Sequence, residues 1–308
     1  MARRRKGDAV SGWICLDKPR DLGSTQAVGR VRRAFNAQKA GHAGTLDPLA
    51  TGILPIALGE ATKTVPFLMD ADKAYRFTIA WGVETASFDR EGAVTATSEA
   101  RPDAAAIAGA LTCFVGEIQQ IPPDFSAVKV DGARAYDLAR AGVAMALEPR
   151  TVIIHSARLV ECPSADETVV EIACGKGTYV RALVRDLAAR LGARAHVAEL
   201  RRTRVGSFSE ARSITLEKLE NLCDTARSLE ALLPVETALD DIPELAVTTE
   251  DAFRLTQGRS IVLLPRQVET LRARLSASRT VSARHGTRIV ALCEMRAGRL
   301  NPTRVFHL

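Results

Sequence analysis

Residues 41–59 read GHAGTLDPLATGILPIALG, and this stretch constrains the possible folds and functions more than any other. One aspartate, Asp47, lies between Gly44 and Pro48, with Gly41 and His42 before it and Thr51 and Gly52 after. Glycine admits positive φ and close approach of another backbone, while proline fixes its own φ and steers the residue before it towards extended geometry. A loop built this way can aim one carboxylate with little conformational freedom. Asp and Gly are also ordinary turn residues, so the loop alone leaves a plain surface turn open.

The rest of the 308-residue chain sets the frame. Its length suits one large domain plus a small one. With 46% hydrophobic and 25% charged residues it has the balance of a soluble globular protein. No apolar run of membrane-spanning length occurs, and the basic N-terminus MARRRKGDAVSGW lacks an apolar signal segment. The expectation is a cytoplasmic protein, not membrane-bound. Cys15, Cys113, Cys162, Cys174, Cys223 and Cys293 are scattered and never form C-x-x-C, and the histidines show no metal spacing with them. Neither a disulfide framework nor a zinc site is expected. The net charge of +6 is uneven: residues 1–40 balance at +7, residues 251–308 at +8 and the middle at −9. Basic ends on an acidic middle suit a phosphate backbone held by the two terminal segments, although a solvated basic surface fits charge alone equally well. Aromatic residues, at 5%, are too few for extended base-stacking platforms.

Local patterns give a coarse element map. Trp13–Leu16 reads as a buried strand, and Ser24 or Thr25 can cap a helix carrying Ala27, Val28, Val31 and Phe35 at helical spacing. Residues 75–81 alternate like a strand, and 103–114 read as helix. Further strands are expected at 151–160, 168–174 and 196–202, with a helix from Thr178 to about Leu191. The 118–142 stretch is too polar and too interrupted by proline for pure core. From 212 to 242 the chain reads as helical and acidic, and after 245 as short apolar runs between glycines, a small β-rich domain. Strands and helices without regular βα alternation favour an α+β fold over a doubly wound parallel sheet.

Several ordered blocks resemble the TruB family of tRNA pseudouridine synthases: Leu16–Pro19, the Asp47 loop, Lys73–Phe77, Ile118–Arg140, Gly177–Arg181, and Ala195–His196 through Arg202. They span roughly residues 10–210. The last segment resembles the family's small PUA-type RNA-binding domain more loosely. The resemblance implies a pseudouridine synthase catalytic domain over 1–244 with a mixed or antiparallel sheet, an RNA-gripping thumb over 118–142, and a PUA-like domain over 245–308. It makes Asp47 the nucleophile, with Tyr75 and Arg181 as catalytic partners. It assigns RNA or substrate contact to His42, Lys18, Tyr179, Leu200, Lys129 and Arg134, with His42 filling the gap left by a flipped base and Lys18 supporting the loop. Position 43 is Ala where relatives often carry Thr, which removes a hydroxyl beside the loop.

The residue types also make chemical sense without the family. Isomerising uridine breaks a C–N glycosidic bond and forms a C–C bond at the same sugar, with no redox change. The absence of G-x-G-x-x-G and of a P-loop agrees with that. A carboxylate can add to an electrophilic carbon or stabilise charge on a sugar, and a nearby guanidinium keeps it ionised and oriented. The resulting expectation is a monomeric tRNA pseudouridine(55) synthase acting on the T loop, without cofactor, metal or obligate protein partner. Two rivals stay open: a guide-RNA-dependent synthase, and a tRNA-folding chaperone whose catalysis is secondary or lost.

Overall fold

The computed structural model describes residues 7–126, 128–130, 133–141, 143, 146–225, 227–275 and 279–308, with backbone alone at 129–130, 133–134, 137 and 139–140. Among these residues, ten strands form one mixed sheet. Four come from the first 81 residues: β1 (Gly12–Lys18), β2 (Ala40–His42), β3 (Thr51–Leu58) and β4 (Lys73–Trp81). From one edge the order is Ile214–Thr215, β1, β3, Ala195–Val205, β4, Glu167–Cys174, Arg150–Glu161 and Gly116–Gln120. β2 pairs with β3, and Phe208–Ser209 with the Ala195–Val205 strand. Pairing is parallel where Ile214–Thr215 meets β1 and where Ala195–Val205 meets β3, and antiparallel elsewhere. The expected α+β class with a mixed sheet is the fold observed.

β3 corrects the sequence reading, which left 51–58 inside the loop. TGILPIAL is a continuous apolar run, buried from Gly52 to Leu58. Such runs belong to strands covered on both faces. One face of the sheet packs Ile14, Leu16, Leu54, Ile56, Phe77 and Ile79 against helices. The other packs Trp13, Cys15, Ile53 and Phe208 into a second cluster. Trp13 to Leu16 therefore split alternately between two cores, as strand periodicity requires.

The helices follow their sequence patterns with two corrections. α1 (Ser24–Ala34) buries Ala27 and Val31 and ends with Arg32 and Arg33, which suit its negative C-terminal end. Its N-cap is Gly23, whose N–H donates to Gln26 Oε1 at 3.0 Å, and Ser24 is engaged elsewhere. α2 (Val65–Asp70) precedes β4. α3 (Ala104–Thr112) is capped by Asp103, which accepts from Ala106 N at 2.8 Å. α4 (Ala135–Arg140) lies in the expected thumb, and α5 (Val180–Arg190) starts at Tyr179. Among the described residues of 212–242 only α6 (Leu216–Asp224) forms a full helix; Ile214–Thr215 is a strand, and 3₁₀ turns follow at Ser228–Ala231 and Val235–Leu239. Pro234 stops a longer helix from propagating there.

A second sheet of five strands begins at Glu244 and runs in the order Glu244–Ala246, Thr280–His285, Arg288–Arg296, Arg299–Val305, Ile261–Val262. It carries α7 (Thr249–Thr256) and α8 (Pro265–Arg272), so the C-terminal unit is β-rich but not purely β. Ile289, Leu292 and Phe306 enter the cluster around Trp13. Polar ties reinforce that seam: Lys63 Nζ donates to Val305 O at 2.7 Å, and His307 N to Glu60 Oε2 at 2.8 Å. Among the described residues no helix is long and apolar enough to cross a membrane.

Candidate active site

The Asp47 loop joins β2 to β3 over the centre of the sheet, and separate anchors fix it. Gly44 and Gly52 have φ of +99° and +98°, in the region that favours glycine. At Gly52 a Cβ would stand 2.2 Å from the carbonyl oxygen of Arg202, so two backbones touch there. Gly41 has open space and no such φ, and the freedom expected of it is not used. Ser24 Oγ donates to Leu46 O and accepts from Leu46 N, both at 2.8 Å, so the residue expected to cap α1 instead pins the loop beside Asp47. Ala43 is fully buried, and its N–H donates to Pro55 O at 3.0 Å.

Lys18 is 0% exposed and donates to the carbonyls of Pro19 (2.8 Å), Leu22 (2.8 Å) and Pro48 (3.2 Å). It thus grips the loop one residue past Asp47. Burial pushes its ammonium down to about 8, while Asp47 and Asp21 pull it up. From the opposite side the buried Arg202 donates Nε to Ile53 O (2.7 Å), Nη2 to Gly44 O (3.0 Å) and Nη1 to Thr45 O (3.3 Å). Hydrogen bonds from charged donors contribute about 1.5–3 kcal/mol each. Together these bonds hold the loop to the sheet on two sides.

Arg181 enters at the first turn of α5 and meets Asp47 directly, with Nη2 to Oδ2 at 2.9 Å. Its side chain is 6% exposed and that of Asp47 is 37%, so the carboxylate keeps an open side. Arg181 Nη1 also faces Asp89 Oδ2 at 3.3 Å, and Asp89 is 4% exposed. Nη1 also donates to Ser87 O (3.0 Å) and Nη2 to Phe125 O (2.8 Å). One guanidinium therefore spans two carboxylates and two carbonyls, a set that its planar fork can satisfy. Asp89 is held in turn by Ser87 Oγ at 2.5 Å and Glu91 N at 3.1 Å.

A cavity of about 270 Å³ opens beside this pair, lined among others by Asp47, Tyr75, Tyr179, Arg181, Leu200 and Arg202. Tyr75 lies on β4 directly opposite Arg202 in register. Burial raises its phenol above the ordinary value, with the positive charge of Arg202 pulling the other way. Leu200 is buried two residues before Arg202, between strand bulges at Val197/Glu199 and Arg202/Arg204. Tyr179 is clamped by the buried Gln120, whose Oε1 accepts from Tyr179 N (2.8 Å) and whose Nε2 donates to Tyr179 O (3.2 Å). His42 ends β2, outside the cavity lining, with a buried Nδ1 that has no hydrogen-bond partner among the described residues. Burial, then Arg202, lowers its imidazole pKa, which favours the neutral ring. Lys129 and Arg134 pair across a short two-stranded ladder, and their side chains lie outside the described residues.

The structure thus brings Asp47, Tyr75, Tyr179, Arg181 and Leu200 around one cavity, with Lys18 behind the loop. Sequence reasoning missed Asp89, Gln120 and the reach of Arg202. A cation two positions from Leu200 in an alternating strand is the one signal that could have marked Arg202 as inward-facing.

This arrangement and the sheet it stands on match known proteins. Residues 32–180 match the model of the TruB family pseudouridylate synthase N-terminal domain, and residues 181–240 that of the tRNA pseudouridylate synthase B C-terminal domain. The chain belongs to the TruB family of pseudouridylate synthases. It is 71% identical to the tRNA pseudouridine synthase B of Caulobacter vibrioides, over 100% of both chains. To the protein of that name from Bradyrhizobium diazoefficiens it is 54% identical, over 100% of this chain and 89% of the relative. Among solved structures it resembles the crystal structure of a Cbf5–Nop10–Gar1 complex, with a TM-score of 0.72, 25% identity, and coverage of 96% of this chain and 85% of that one.

Proposed function

We propose that this chain is a tRNA pseudouridine synthase that isomerises a uridine of the T loop, position 55, with Asp47 as nucleophile. The observation that carries the reading is the Asp47–Arg181 pair on the wall of a base-sized cavity. Full-length relatives named tRNA pseudouridine synthase B favour it over the guide-dependent and chaperone alternatives. Asp47 keeps one side open to a sugar, and Arg181 orients it without closing that side. Leu200 and Tyr75 offer an apolar edge and a ring to a flipped uracil. After the base turns and the C5–C1′ bond forms, the C5–H bond breaks, its electron pair restores C5=C6, and N1 takes up a proton; Tyr75 is the residue suited to accept the C5 proton. His42, as a neutral planar side chain, fills the space the base vacates, and Lys129 and Arg134 in the thumb grip the RNA. The enzyme acts as a cytoplasmic monomer on bare tRNA.

The test is tritium release from tRNA transcripts carrying 5-³H-uridine, with wild type beside Asp47→Asn. Release mapped to the T loop by wild type alone is expected. Binding of tRNA without release by either protein would sink the reading.

A further inference from the structure

Arg202 is 1% exposed, and no carboxylate among the described residues lies within ion-pair distance of it. An unpaired buried charge is costly, and a well-packed apolar side chain in its place is often no worse for stability. Its hydrogen bonds go to the carbonyls of Gly44 and Thr45 in the loop and of Ile53 on β3. On the facing strand Tyr75 is its partner in register, and both line the same cavity.

We propose that Arg202 is a positioning residue for proton removal: it fixes the Tyr75 oxygen against the base and, as a cation, favours the phenolate that accepts the C5 proton. This rests on the pseudouridine synthase reading above. In the step concerned the Tyr75 hydroxyl proton has passed to solvent, the C5–H bond breaks, its electron pair re-forms C5=C6, the C5 proton passes to the Tyr75 phenolate oxygen, and N1 takes a proton from solvent, so base and phenol are both neutral. Other charged or titratable groups surround the phenol: Asp47 on the loop, Cys174 on the neighbouring strand, and Lys73 and Arg181 at the cavity wall. Of these groups and Arg202, Arg202 is the cation set directly opposite Tyr75 in register. The same guanidinium grips the carbonyls of Gly44 and Thr45, so it sets the distance between the nucleophile's loop and the proton acceptor.

The competing account is a bracket for the loop and nothing more. The two differ in which step slows. Single-turnover conversion is measured with tRNA carrying uridine or 5-²H-uridine at the target, for wild type, Arg202→Gln and Arg202→Lys, with tRNA binding and circular dichroism as folding controls. The expected result for Arg202→Gln is a rate lower by about 10²-fold or more, unchanged tRNA affinity, and a C5 isotope effect larger than in wild type. Arg202→Lys retains the charge and falls between the two. If Arg202→Gln does not fold, the raised isotope effect in Arg202→Lys carries the test. Slower conversion with an unchanged isotope effect would mean that only the loop step suffers, and the proposal fails. Wild-type rates in the variants overturn it as well. A wild type inactive on tRNA is a separate outcome, which removes the functional reading and this proposal with it.

Discussion

Replacing Gly52 by alanine tests whether the Asp47 loop is held by contact between two backbones. At this position the chain has φ of +98°, and the added Cβ would stand 2.2 Å from the Arg202 carbonyl oxygen and 3.0 Å from its carbonyl carbon and amide nitrogen. These are backbone atoms of a paired strand, and no rotamer change can move them aside. Strain at such a φ costs about 1–3 kcal/mol, and overpacking adds about 1–3 more. The total of about 2–6 kcal/mol is a large part of the roughly 5–15 kcal/mol that holds a protein folded. At roughly 2 °C per kcal/mol for a chain of this size, the melting temperature falls by about 4–12 °C. The control lies in the same segment: Gly41→Ala meets no heavy atom within 4 Å and no unusual φ, and stays within about 0.5 kcal/mol of wild type. Thermal denaturation of both variants, followed by single-turnover conversion below their melting points, reads the effect. Gly52→Ala is expected to lose conversion as well, because Arg202 must shift and it carries the carbonyls of Gly44 and Thr45. A Gly52→Ala protein that melts with wild type would refute the argument.

Three further outcomes are expected. Arg181→Lys keeps the charge but offers three donors on a single nitrogen, too few for Asp47, Asp89 and the carbonyls of Ser87 and Phe125; single-turnover conversion should fall by at least about 10², and near-normal turnover would show that the fork is dispensable. Lys18, with its ammonium near 8 against an ordinary 10.5, has a depressed folded pKa, so the unfolded chain binds the extra proton between those values and this group's contribution to stability rises with pH across the window. Activity should move the other way above pH 8, since a neutral amine has two hydrogens for three carbonyls; an alkaline limb of the pH–rate profile unchanged in Lys18→Met would refute this, Lys73 near 8 being the other group in that range. Affinity for tRNA should drop by about 10³-fold or more between about 50 and 200 mM salt if the basic ends engage several phosphates, and a flat salt dependence in filter binding would exclude that mode.

What the sequence made legible was local. Asp47, Tyr75 and Arg181 each sit in a short block whose residue order carries the signal, and the strands at 12–18, 73–81, 150–161 and 167–174 show in their alternation. What it hid depends on pairing between distant segments. Arg202 faces Tyr75 because the two are opposite in register, and Asp89 reaches Arg181 from a turn that looks like any Asp-Arg-Glu-Gly corner. β3 was masked because a glycine and a proline punctuate an apolar run, and local reading gives those residues more weight than burial does. Ser24 shows the same limit: its type suits a helix cap, yet the nearby loop offered it both a donor and an acceptor.

The two bulges that bracket Leu200 and Arg202 act as a parity switch. Each adds a residue to one strand alone, so together they decide which of the four residues from Glu199 to Arg202 look inward. A one-residue slip of this segment against β4 would leave its ladder bonds available and still turn every side chain in it to the other face. The sheet would survive, and the cavity would lose its leucine and its guanidinium in one step. Surface loops of this fold can drift in length at little cost, whereas here the number of residues is itself part of the active site.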